Sequence, residues 1–125
     1  ILKWIGKGTE TYLSTLSPTM LMISMIVLFF LLHYFFASLT AHTTALLPIF
    51  IVIAAKLIAP EQLMTFMILL TSTIGLMGII TPYGTGPSPI WYGAGDISQG
   101  RWWALGAIFA AIYIAVLLVG VLIFL

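Results

Sequence analysis

The 125 residues contain no cysteine. Disulfides, thiolate metal ligands and cysteine nucleophiles are therefore excluded, and the redox state of the compartment leaves no mark on the sequence. Charge is nearly as scarce. Four Lys and Arg with three Asp and Glu make up 6% of the chain, against about 25% in soluble domains. A net charge of +1 offers no basic surface for nucleic acid and no pull on an acidic partner. Glu10, Glu61 and Asp96 sit at the borders of the apolar runs, so none is placed to orient an imidazole within them. Ser38, His42 and Thr43 are close in sequence but lack that acid and any Gly-x-Ser-x-Gly elbow, so a hydrolase is not supported. Two His without a third ligand or a His-Glu-x-x-His motif do not make a zinc site. Gly84-x-Gly86 runs into Pro87 rather than into the helix start of a dinucleotide fold. The chain does not read as an enzyme.

What is present is hydrophobic residue in long runs: 62% of the chain, with a mean hydropathy of +1.24. The runs do not alternate with the period of two that a β-barrel strand needs, so the fold class is all-α integral membrane protein. Residues 1–16 mix Lys3, Lys7 and Glu10 with Trp4 and Tyr12, a composition suited to a short interfacial helix at the headgroups. Ser17-Pro18 opens a new element, since Ser caps a helix and Pro is tolerated in its first turn. Residues 17–60 read as a re-entrant helical hairpin with its tip near 38–44. The returning arm, 45–57, would cover only about 20 Å as helix, short of a hydrocarbon core of about 30 Å. Residues 61–101 form a broken transmembrane helix with an unwound loop at 81–89, resuming near Ile90 and stopping at Gly93-Ala94-Gly95. Arg101 with Trp102 and Trp103 marks a membrane interface, and 102–125 is a last span with Ala107, Ala111 and Ala115 as a small-residue stripe for helix contact. The chain begins with Ile1 and reads as a fragment of a longer, multi-pass protein.

Two polar clusters interrupt the apolar chain. The first is Ala37 to Pro48, with Ser38, Thr40, His42, Thr43 and Thr44; the second is Thr81-Pro82-Tyr83-Gly84-Thr85-Gly86-Pro87. Leaving such groups unpaired in lipid costs several kcal/mol each, so they must face protein, a cavity or a permeant. Pro82, Pro87 and Pro89 remove amide donors, while Gly84 and Gly86 permit unusual backbone, which frees carbonyls or amides to hold a ligand. The pair reads as two lips of one substrate site. Half-helix N-termini favour carboxylates, and hydroxyls of Ser38, Thr40, Thr43, Thr44, Thr81 and Thr85 supply neutral partners. His42 can offset a dianion by carrying charge or can donate to it while neutral. His33, on the preceding helix, is expected to bond a neighbouring carbonyl or a headgroup. Two other readings stay open: the cluster only knits helices together, or His33 and His42 hold haem or quinone in a membrane-anchor subunit.

Ala-Ser-Leu-Thr-Ala-His-Thr-Thr-Ala-Leu-Leu-Pro and Ile-Thr-Pro-Tyr-Gly-Thr-Gly-Pro-Ser-Pro-Ile-Trp-Tyr-Gly-Ala-Gly together resemble the divalent anion:sodium symporter superfamily. Within it they are most similar to the citrate/succinate and tartrate/succinate antiporters and the plastid 2-oxoglutarate/malate translocator. The resemblance covers nearly the whole chain and matches the family's C-terminal part. It implies an inverted-repeat elevator carrier, homodimeric, with a di- or tricarboxylate held between two hairpin tips, one of them in an N-terminal part outside this chain. It also implies a multi-pass protein of the bacterial inner membrane, with the hairpin base outside the cytoplasm, although Lys/Arg counting alone would place that base inside. The family's Ser-Asn-Thr hairpin signature falls on Ala41, His42 and Thr43, and its second loop on Thr81 to Pro87, with Thr85 at the matching threonine. The substrate-site residues implied are Ser38, Thr40, Ala41, His42, Thr43, Thr44, Thr81, Gly84, Thr85, Gly86 and Pro87. A Na⁺ would fall near Thr40, Thr43 and Thr85. Ala41 lacks a hydroxyl and His42 stands where the family has an amide, which favours exchange without a cofactor ion over sodium-coupled symport.

Overall fold

The computed structural model describes residues 16–125, so the interfacial helix expected over 1–16 lies, but for its final residue, outside the described part. Every regular element among the described residues is helical, without a strand. Helix α1 spans Pro18–Leu32, α2 Leu39–Leu57, α3 Pro60–Ser72, α4 Ser88–Gly93 and α5 Gln99–Phe124. Among the described residues, four stretches are long and apolar enough to cross a membrane: Pro18–Phe35, Leu39–Leu57, Pro60–Ile79 and Gln99–Phe124.

Helix α1 starts as its sequence asks. Ser17 is extended, its hydroxyl accepts the Met20 amide at 3.4 Å, and Pro18 occupies the first helical position. One side of α1 (Leu21, Met22, Met25, Ile26, Phe29 and Phe30) is buried, and the helix packs against α2, α3 and α5, which makes it the centre of the bundle. Between lipid-bathed helices this burial gains dispersion contact rather than escape from water, so the fit of shapes decides it. Phe29 meets Phe50 of α2 edge-on at 5.0 Å between ring centres.

The chain reverses between α1 and α2 in fewer residues than the sequence suggests. A 3-10 turn at His33–Phe35 closes α1, Phe36 is extended, and Ser38 already caps α2 by accepting the Ala41 amide at 3.4 Å. Thr40 to Thr44 are thus wound into the first turns of α2 rather than spread along an open tip. The returning arm is correspondingly longer: as α2 it holds 19 residues and reaches about 28 Å. Pro48 lies inside it and leaves the Thr44 carbonyl without its helical amide.

The second interruption begins earlier and is more gradual. The hydroxyls of Thr71, Ser72 and Thr73 bond back to Met67, Ile68 and Leu70 carbonyls, a habit that loosens helices. Regular helix ends at Ser72, and two 3-10 turns, Thr73–Gly75 and Met77–Ile79, carry the chain onward. Non-helical backbone then runs to Pro87, and helix resumes at Ser88, two residues before Ile90, where the Thr85 hydroxyl accepts the Ser88 amide at 3.3 Å. Gly95 ends the short α4 with φ +83, a conformation that favours glycine.

Helix α5 contacts the rest through Gly106, Ala110, Leu117 and Val121. The stripe expected from Ala107, Ala111 and Ala115 is exposed instead, one residue out of phase with the buried face. Gly106 explains the choice: a Cβ there would sit 2.6 Å from Ile80 Cα and 2.8 Å from the Ile79 carbonyl oxygen. Only glycine lets α5 lie directly on the backbone at residues 79–80. At the other end, Gln62 Nε2 donates to the Leu125 carbonyl at 2.6 Å and ties the start of α3 to the end of α5.

Candidate functional site

The two polar clusters meet through a residue that belongs to neither. His33 Nε2 donates to the Gly84 carbonyl at 2.9 Å, across 51 positions of sequence. A carbonyl can only accept, so this ring nitrogen carries the hydrogen. The same imidazole lies edge-on to His42, with ring centres 5.4 Å apart at 80°. Beside it, the Tyr34 hydroxyl donates to the Met77 carbonyl at 2.6 Å. The turn at the end of α1 therefore grips the broken helix at two carbonyls, one before the open loop and one in it.

His42 is fully buried one turn into α2, its ring enclosed by Phe29 at 4.5 Å, Phe36 at 5.2 Å and His33. Neither of its ring nitrogens has a hydrogen-bond partner. Thr43 Oγ1, Thr81 Oγ1 and His33 Nδ1 share that condition. Buried polar atoms are nearly always paired, and each exception is costly. Several such atoms on the two polar clusters and on the His33 that joins them mark this region as the candidate site.

The other expected residues divide. Gly84 is buried, and its packing admits no side chain, since a Cβ would lie 2.7 Å from the Gly78 carbonyl oxygen and 2.9 Å from Thr81 Oγ1. Thr85 is half-buried, its hydroxyl 2.6 Å from that of Ser88. Ser38 spends its hydroxyl on the α2 cap, and Thr44 spends its own on the Thr40 carbonyl at 2.6 Å. Thr40, Ala41 and Thr44 face outward from the described residues, as do Gly86 and Pro87. Of the expected residues, His42, Thr81 and Gly84 are therefore buried within the described part, with Thr43 and Thr85 partly so. Among the described residues no three His, Cys, Asp or Glu gather as metal ligands.

Two residues were not marked by sequence reasoning as part of this site. His33 and Tyr34 act on carbonyls far along the chain, and no local pattern announces that. A third, Trp102, was read only as an interface residue. Its Nε1 is buried without a partner, beside a cavity of about 240 Å³ lined by Gly75, Gly78, Thr85, Ser88 and Tyr113, while Trp103 is exposed.

The family described as the sodium:sulfate symporter transmembrane region matches residues 1–124. The L-tartrate/succinate antiporters of Escherichia coli (strain K12) and Shigella flexneri are each 49% identical over 119 residues, which is 94% of this chain and 24% of theirs. That of Escherichia coli O6:K15:H31 (strain 536 / UPEC) is 48% identical over the same share. The chain thus spans about a quarter of the length of the curated relatives it matches. No solved structure gives a significant match.

Proposed function

The chain belongs to the sodium:sulfate symporter family, and on that premise we propose that it forms the C-terminal quarter of a carrier exchanging di- or tricarboxylates across the bacterial inner membrane. Family membership and the four apolar helices make it an integral, multi-pass membrane protein. The carrier proposed is a homodimer of elevator type, in which α1 and α2 form a hairpin turning at depth in the membrane. The substrate lies where the start of α2 approaches the loop at 81–87, and the missing wall comes from the N-terminal part of the carrier.

The observation that carries this reading is the buried, unpartnered imidazole of His42 placed beside the residue that holds the 81–87 loop. A helix start presents unpaired amides and the positive end of its dipole, both suited to a carboxylate. An imidazole there adds a donor whose hydrogen can be directed at the same oxygen. Sodium coupling is less well supported. The sequence removes ligands a bound Na⁺ would use, since Ala41 carries no hydroxyl and His42 no amide oxygen where the family signature has both.

The test is counterflow of radiolabelled succinate in proteoliposomes containing the full-length carrier. Uptake against internal succinate or L-tartrate is expected, undiminished when Na⁺ is replaced by choline. Strict dependence on Na⁺ would return the protein to symport, and the absence of any dicarboxylate exchange would remove the proposed activity.

A further inference from the structure

A helix that merely stops in the bilayer has no need to end on two side-chain donors, and α1 does so. The carbonyls that receive them are also specific. Met77 lies where regular helix has already given way to 3-10 turns, and Gly84 lies within non-helical backbone. Both therefore fall where the interruption has taken away regular helical amide partners. His33 Nε2 and Tyr34 Oη stand in for those amides at 2.9 Å and 2.6 Å. His33 does more than fill a bond, because its ring also forms one wall around His42.

We propose that His33 is a positioning residue of the carrier: through Nε2 it fixes the 81–87 loop by the Gly84 carbonyl, and with its ring it sets the face of His42, so that both halves of the site are held in register. This rests on the carboxylate-exchange reading for its transport consequence, but the hold on the loop does not require it. A loop released from its anchor spends less time in the binding arrangement, and apparent affinity falls by the fraction of time lost, while the maximal rate is largely kept. The effect belongs to one atom, which makes it separable from simple packing. The side-chain nitrogen of glutamine can reach the place of Nε2; that of asparagine falls nearer Nδ1.

The experiment uses the full-length carrier with His33→Leu, His33→Asn, His33→Gln and Tyr34→Phe. In proteoliposome exchange with succinate as probe, the half-saturating concentration is expected to rise about tenfold for Leu and Asn, with maximal rate within about twofold. Gln should stay within about threefold of the parent. Amide hydrogen exchange without substrate provides the second readout: residues 81–87 should exchange about tenfold faster in the Leu and Asn variants and not in Gln. Tyr34→Phe should accelerate exchange at 77–83 in the same direction. Failure of Gln to restore the parent, unchanged protection of 81–87 in Leu or Asn, or a loss of maximal rate at constant affinity each overturns the proposal. Where Leu does not fold, the Asn and Gln pair decides. Where the parent itself exchanges no dicarboxylate but protection follows the predicted pattern, the carrier reading fails and the anchoring role stands.

Discussion

The two interruptions of helix in this chain solve the same problem in opposite ways. Between α1 and α2 the backbone turns within a few residues and is rewound at once, capped by Ser38, so the polar residues that follow sit on a regular helix. Between α3 and α4 the helix loosens through two 3-10 turns and stays open to Pro87. The first interruption presents the beginning of a helix, hence amides. The second presents carbonyls, and two of these, at Met77 and Gly84, accept donors from the turn that closes α1 rather than being left to lipid. A short turn can satisfy itself locally, whereas a long opening must borrow partners from another element. The difference teaches that the second interruption depends on tertiary structure and the first largely does not.

That contrast can be broken at several points. The largest effect is expected in the second interruption from Gly84→Ala, whose Cβ would meet the Gly78 carbonyl oxygen at 2.7 Å. Backbone must move, and overpacking of this kind costs about 1–3 kcal/mol. Thermal unfolding of the detergent-solubilised carrier should fall by several degrees, and exchange with it, whereas Gly86→Ala, with open space around it, should leave the melting temperature unchanged. Next is His42→Ala in the first interruption, expected to lower succinate exchange about tenfold or more, equivalent to about 1.4 kcal/mol or above. His42→Gln, which keeps a donor and most of the volume, should lose less. Rates are to be normalised to the protein inserted, since removing a buried ring also costs stability. Ser38→Ala removes a cap bond of 3.4 Å and should destabilise by about 0.5–1 kcal/mol, read as a small drop in melting temperature with exchange retained. Smallest of all, Thr44→Val deletes an outward-facing back-bond and should stay within about 0.5 kcal/mol in the same melts. A Thr44 effect as large as that of His42 would mean the outward face of α2 carries the site.

Much of this architecture was legible from residue types. Scarce charge and long apolar runs give the membrane class, and the Pro and Gly of 81–87 mark an opening that is there. The first polar cluster misleads for a physical reason. A run of hydroxyls suggests unwinding, yet Ser38 is one residue upstream of a helix and Thr44 satisfies its hydroxyl within that helix. The packing phase of α5 was not legible either, because a helix apolar on every side contains no signal for which side turns inward. Gly106, not the alanines beside it, settles that phase through its contact with residues 79–80. His33 could be recognised as needing an acceptor, but one 51 residues away is invisible until the chain has folded.

The seat of α5 on bare backbone at Gly106 has a mechanical consequence. With no side chain interposed, no compressible layer exists between the last helix and residues 79–80, and neither can slide past the other without collision. Bending of this part of the chain is then expected in the seven residues beyond, 81–87, and not at the contact itself.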